Sequence, residues 1–321
     1  MRLLSHRDPE TGSRSFAAIV GERAITAAEL RDVGGFDHTD ALLDTYWLLD
    51  SDGWRERIED ALAKALERGA EGHPLLEFVP AAAIQTPEKV VCVGLNYRDH
   101  TDEQKIEPPV RPLLFAKFAN AVVADGEPVI HPAGTHALDL EGELGVVIGK
   151  RSRKVAAADA MAHVAGYVAC NDVSARDWQG TKPALREGEV GDGQWLRAKG
   201  SDTFFPMSAV LVTADEVADP HDLHIHTIVR PAEGPEAGHD VEMQHGWTGD
   251  MIVRIPELIE YISAVITLVP GDIISTGTPS GVGVFREPPV FLRPGDRMQV
   301  FIEKIGGVTN PIVAEEATGG A

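Results

Sequence analysis

Residues 136–149, HALDLEGELGVVIG, carry three acids, Asp139, Glu141 and Glu143, each two positions from the next. On a strand, residues two apart point to one side. The run then continues into LGVVI, which is apolar enough to be buried. Carboxylates drawn into such a core are costly unless hydrogen bonds or a cation compensate them. A divalent ion does so directly. An all-oxygen set without Cys selects a hard ion, Mg²⁺, Mn²⁺ or Ca²⁺, over Zn²⁺. The competing reading is a solvated acidic strand end. A fourth acid bears on the choice. Asp172 follows the apolar run VAGYVAC, with Arg176 and Gln179 four and seven residues later. If the chain turns helical there, the three share one face. An Arg beside a metal-holding Asp makes a pocket for a carboxylate substrate. Taken singly, the same pattern is an Asp cap with an ion-paired Arg.

The elements that must position these acids are legible as short apolar runs separated by Gly, Pro and Asp. KVVCVGLN, PLLFAKF, LGVVIG, HVAGYVACND, SAVLVT, LHIHTIVR, DIISTGT and DRMQVFIE read as strands. Helices are expected at 54–68, at 158–164 and from Ile255 to before Pro270. SFAAIVGERAI reads as a hairpin, and 181–194 as a long loop of the kind that covers a site. Residues 1–85 are expected to form a small N-terminal α/β domain and 86–321 the main domain. Helices and strands alternate too seldom for a doubly wound sheet, so the expected class is α+β, mostly β.

Composition narrows the partners. With 29 basic and 50 acidic residues the formal charge is −21, which repels nucleic acid and anionic membrane. An anionic substrate remains compatible where local cations invert the field. Cys92 and Cys170 sit in apolar runs and are expected to pack as free thiols. MRLLSHRDPE lacks a signal-like apolar stretch, and no run approaches the length of a membrane span, so the expected location is cytoplasmic.

LEGELGVVIGK, GYVACNDVSARDWQ, WLRAKGSDTFFP and DIISTGTPSGVG, in that order, resemble the fumarylacetoacetate hydrolase family over residues 88–312. The resemblance implies a β-roll of mixed sheets, a homodimer, and Mg²⁺ or Mn²⁺ held by Glu141, Glu143 and Asp172. Asp139 falls outside that ligand set. GLNYRDHTDE, residues 94–103, is similar to the branch that carries a catalytic His and a Glu three residues on, here His100 and Glu103. A helix puts this pair on one face, where the carboxylate can orient the imidazole as a general base. The resemblance also implies that Lys199 reaches toward the substrate and that Thr278 contacts its carboxylate; Arg176 and Gln179 are expected to bind it from the pocket reading above. The Gly-rich turn around Thr278 can serve as an anion nest. The expected chemistry is hydrolysis of a C–C bond in a small 2,4-dioxo acid, of acylpyruvate or fumarylpyruvate type, releasing pyruvate. Alternatives are an oxaloacetate-type decarboxylase, a 2-hydroxyhepta-2,4-diene-1,7-dioate-type isomerase, and a non-enzymatic metal-binding scaffold. His224 and His226 are expected on an exposed strand face, His245 and Trp247 at the entrance, and Glu187 and Glu189 in solvent.

Overall fold

Every run read as a strand above is a strand in the computed structural model, which describes residues 1–35, 49 and 53–316. The centre of the main sheet is Gly142–Ile148. It pairs antiparallel with Val164–Asn171 on one side and Ile273–Ser275 on the other. Ile273–Ser275 in turn runs parallel to Val90–Gly94. These directions bring Gly142, Asn171, Ser275 and Gly94 to the same end of the sheet. Each strand there leads directly into one of the motifs singled out above.

The leading residues extend this sheet. Strand Arg2–Arg7 pairs antiparallel with Val210–Thr213, and the expected hairpin forms from Arg14–Val20 and Arg23–Thr26. Helix Trp54–Glu67 buries Ile58, Ala61 and Ala65 at helical spacing. Leu3, Phe16, Ile25 and Ile58 share one apolar core with Val90, Val168 and Ile273.

A second sheet runs Val241–Trp247, His224–Arg230, Arg297–Ile302, Gly306–Ala314, Val129–His131. Its inner residues Ile225, Val300 and Ile302 pack on Leu144 and Val146 of the main sheet and on Leu258, Ile259 and Ile262 of helix Ile255–Ser263. That helix is shorter than expected. The Ser263 carbonyl accepts from Lys154 N–H (2.8 Å) and Arg153 Nη1 (2.9 Å), so a docked loop takes up its end. The segment at 158–164 is a single turn, Ala157–Ala160, followed by a 3-10 turn. Strands Arg2–Arg7, Val241–Trp247 and Gly306–Ala314 had no expectation. Among the described residues no helix is long and apolar enough to cross a membrane.

The two sheets are in close contact at Gly142, where an added Cβ would lie 2.3 Å from Thr227 Cγ2. Gly142→Ala must therefore push the sheets apart beside the candidate site. We expect a loss of about 1–3 kcal/mol in urea unfolding, the usual range for an overpacked core. Thr227→Ser, which removes the obstructing methyl, should restore part of it. Full stability of Gly142→Ala alone would contradict this packing.

Candidate active site

The three acids expected to hold metal converge. Glu141, Glu143 and Asp172 are buried, and one oxygen from each lies within 4.8 Å of the others. Glu143 is on strand Gly142–Ile148. Its Oε2 accepts from Ser275 Oγ (2.5 Å) and Gly277 N–H (3.0 Å). Glu141 precedes that strand. Its carbonyl accepts Asp172 N–H (2.9 Å), and its own N–H donates to Asn171 Oδ1 (2.9 Å), which clamps the two segments together.

Asp139 belongs elsewhere. The extended run assumed from spacing is broken: Leu138–Asp139 pairs with Ser174–Ala175, and a new strand begins at Gly142. Asp139 accepts from Gly283 N–H (2.8 Å), Val284 N–H (3.0 Å) and Arg176 Nε (2.9 Å). The expected helical face shared by Asp172, Arg176 and Gln179 is also absent, because strand Ser174–Ala175 separates Asp172 from the short helix Arg176–Gln179. The three residues still face one cavity. Arg176 Nη2 reaches Glu141 Oε1 (2.7 Å), and its Nη1 donates to Gln179 Oε1 (3.2 Å).

Lys199 Nζ bridges Glu141 Oε2 (2.6 Å) and Asp172 Oδ2 (2.7 Å). A second lysine, Lys117, escaped the sequence reading. It is fully buried, with Nζ 2.7 Å from Asp172 Oδ1, and it donates to the carbonyls of Val173 (3.0 Å), Lys199 and Phe204 (2.8 Å). An isolated Lys in AKF resembles a solvated strand residue, and the only available signal was its apolar flanks.

Burial alone would raise the Glu141 carboxyl, but Arg176 and Lys199 outweigh it and hold the group below the ordinary value. Glu143 goes the other way. Burial, then the negative charges of Asp172 and Glu141, push it well above the ordinary range. Burial opposes the Lys199 ammonium, yet Asp172 and Glu141 raise its pKa on balance. For Lys117, burial wins and lowers it.

Helix Arg98–Gln104 follows strand Val90–Gly94 and presents the predicted pair. His100 Nδ1 lies 2.6 Å from Glu103 Oε1, and His100 Nε2 lies 2.8 Å from the Gln104 amide. A carboxylate at Nδ1 and an amide NH₂ at Nε2 both call for the neutral Nδ1–H tautomer, the assignment these partners imply. Glu103 Oε2 accepts from Gly281 N–H (2.9 Å). The turn around Thr278 is a nest, but its amides serve the protein's own acids: Gly277 donates to Glu143, Ser280 to Asp99 and Gly281 to Glu103. Thr278 Oγ1 donates to the Gly142 carbonyl (3.0 Å) and accepts from Gln244 Nε2 (2.7 Å). Gln244, unforeseen in the sequence, also receives Gly142 N–H (2.9 Å).

These groups surround a cavity of about 320 Å³ whose wall includes His100, the three clustered acids, Arg176, Gln179, Lys199 and Thr278. Phe115, Trp195 and Phe285 supply its apolar side, with Gly180 and Thr181 at the start of the long loop. Glu103 stands behind His100. His245 and Trp247 do not line it. They lie on an exposed strand face. Glu189 is exposed, as expected, with a carboxylate oxygen 3.5 Å from His136 Nε2. Cys92 and Cys170 are free and buried, and burial raises both thiols.

The donor set fits a hard divalent ion. Four buried acids, counting Asp139, face three buried cations, so a dication would turn the local balance positive. The cluster contains only carboxylate oxygens, which suits Mg²⁺ or Mn²⁺.

Residues 89–313 match the family described as fumarylacetoacetate (FAA) hydrolase C-terminal. The chain belongs to the fumarylacetoacetate hydrolase family. Within it, the chain is 47% identical over 240 residues to the mitochondrial oxaloacetate tautomerase FAHD2A of Bos taurus, covering 75% of this chain and 71% of that one. Among solved structures, a putative HpcE protein from Mycobacterium smegmatis is similar at 30% identity and a TM-score of 0.77, over 98% of this chain and 100% of that one. Maleylpyruvate hydrolase from Sphingobium sp. SYK-6, in complex with manganese(II) and pyruvate, is similar at 28% identity and a TM-score of 0.73, with the same coverage of 98% and 100%. The fold is thus the mostly β family fold that the motifs implied.

Lys117→Met removes one partner of a fully buried ion pair and leaves Asp172 uncompensated on that side. A loss of about 3–5 kcal/mol is expected, as for other broken buried pairs. Urea unfolding at fixed Mg²⁺ measures it; a variant as stable as the parent would mean that Asp172 is neutralised by other groups.

Proposed function

We propose that this protein is a divalent-metal-dependent enzyme that moves a proton between carbon and oxygen of a small 2-oxo dicarboxylic acid, the keto–enol interconversion of oxaloacetate or a close analogue. The observation that carries the reading is His100. Its Nδ1 is pinned by Glu103, and its ring lines the same cavity as the three acids. The 47% identity to an oxaloacetate tautomerase supports this chemistry over the hydrolysis that the motifs first implied.

Glu141, Glu143 and Asp172 would hold Mg²⁺ or Mn²⁺, which supplies positive charge against the carboxylate and 2-oxo oxygens of the substrate. His100 Nε2, neutral at the outset, takes a proton from C3. The C–H electron pair forms the C2–C3 double bond, and charge moves to the C2 oxygen. Lys199 lies close enough to the acids to stabilise that charge, and the proton returns to oxygen to complete the enol. Glu103 keeps the imidazole in one tautomer and stabilises it when protonated. Arg176, Gln179 and Thr278 position the substrate carboxylates. The substrate replaces the Gln104 amide at Nε2.

A second reading is hydrolysis of a 2,4-dioxo acid, with the same imidazole activating water. It is favoured by the likeness to maleylpyruvate hydrolase, whose structure contains manganese and pyruvate.

The decisive measurement follows decay of enol-oxaloacetate absorbance together with pyruvate release. Tautomerisation without pyruvate supports the first reading, and pyruvate from maleylpyruvate or an acylpyruvate supports the second. A chelator should abolish turnover, and Mg²⁺ or Mn²⁺ should restore it. His100→Ala should lower kcat by about 10²–10⁴-fold, the usual worth of a general base, with metal binding retained. Full activity in that variant would remove His100 from the chemistry.

A further inference from the structure

The outer face of the second sheet carries a cluster that the proposed chemistry does not use. His226 and His245 are directly paired across two antiparallel strands, with ring centroids 4.3 Å apart. The register shift after Thr227 brings Glu242 beside them. Glu242 Oε1 is 2.9 Å from His226 Nδ1 and 3.9 Å from His245 Nδ1. One ligand atom from each residue lies within 4.8 Å of the others. A third imidazole, His224, has its ring centroid 5.6 Å from that of His245.

We infer that His226, His245 and Glu242 form a second metal site, which takes a borderline divalent transition ion such as Zn²⁺ or Cu²⁺. Imidazole nitrogens prefer such ions to Mg²⁺, whereas the buried acids offer only hard oxygens, so ligand chemistry sorts the metals. A tetrahedral ion with bonds of about 2.0–2.1 Å holds its ligands roughly 3.4 Å apart. Half-exposed side chains reach that spacing by rotation, without backbone movement. Three protein ligands leave one position open, for water or for His224.

The placement has a structural consequence. Among the described residues, Val241–Trp247 is an edge strand, paired on one side only. On its buried face, Gln244 holds Gly142 N–H and Thr278 Oγ1 beside the candidate active site. An ion on the outer face fastens this strand to its single neighbour. It adds stability by binding the folded form alone.

The full-length protein, loaded with excess Mg²⁺, is dialysed against Cu²⁺ and examined by metal analysis and electron paramagnetic resonance. The expected result is about one retained Cu²⁺ per chain, the stoichiometry of a single three-ligand site, with nitrogen coupling from imidazole. The double variant His226→Gln, His245→Gln should bind at least about tenfold more weakly, a loss of over 1.4 kcal/mol, while keeping the parent's cooperative urea-unfolding transition in the absence of copper. If that variant misfolds, shown by loss of that transition, His245→Gln alone gives the same readout at a more exposed position. Uptake unchanged in the variants, or retained copper without nitrogen coupling, overturns the inference. Failure of the tautomerase reading leaves this test intact, because the readout is the ion.

Discussion

Three carboxylates held within 4.8 Å of one another repel, and much of the surrounding structure is arranged by that repulsion. At this separation in a low-dielectric interior, like charges cost several kcal/mol unless compensated. Lys199 bridges two of the acids, Lys117 supports Asp172 from beneath, and Arg176 closes on Glu141. Among the described residues, no lysine or arginine is in direct contact with Glu143. It depends on a hydroxyl and an amide, and it is the acid whose carboxyl is pushed upward. The imbalance is therefore localised on Glu143, where a cation would relieve it most.

The Gly-rich turn after Ile273–Ser275 ties this cluster to the imbalance's other neighbour, the His100 pair. The amides of Gly277, Ser280 and Gly281 in one turn go to Glu143, Asp99 and Glu103. Gly277, at φ +95°, has Asn96 Cβ and the Val93 carbonyl at 2.9 Å from where its own Cβ would be. A side chain there would displace the turn, and with it both the clustered acids and the Glu103 carboxylate paired with His100. The two halves of the site are held by one piece of backbone.

Strands were legible because β-branched runs broken by Gly and Pro leave few other choices. Of those that went unseen, Val241–Trp247 is a polar one: VEMQHGW reads as hydrophilic, so Gln244 and the pairing of His245 with His226 were hidden with it. The acids were legible as a group but not individually. Spacing of two implies one side only while the strand is continuous, and the break before Gly142 turns Asp139 toward Arg176 and away from the cluster. Lys117 illustrates a different limit. Its role lies in contacts with residues 173, 199 and 204, which no local pattern encodes. The helical face assumed after Asp172 failed because Ser174 and Ala175 pair with Leu138 and Asp139, a long-range demand that overrides local propensity.

The formal charge of −21 poses a problem for any enzyme of dicarboxylic acids, since the surface disfavours the approach of its substrate. Bulk field and local field are separable here. Salt screens exposed charges over about 8–10 Å, whereas the buried Arg176 and Lys199 act at contact distance inside a walled cavity. Phe115, Trp195 and Phe285 lower the polarity of that wall and so strengthen the pull of each cation on a bound anion.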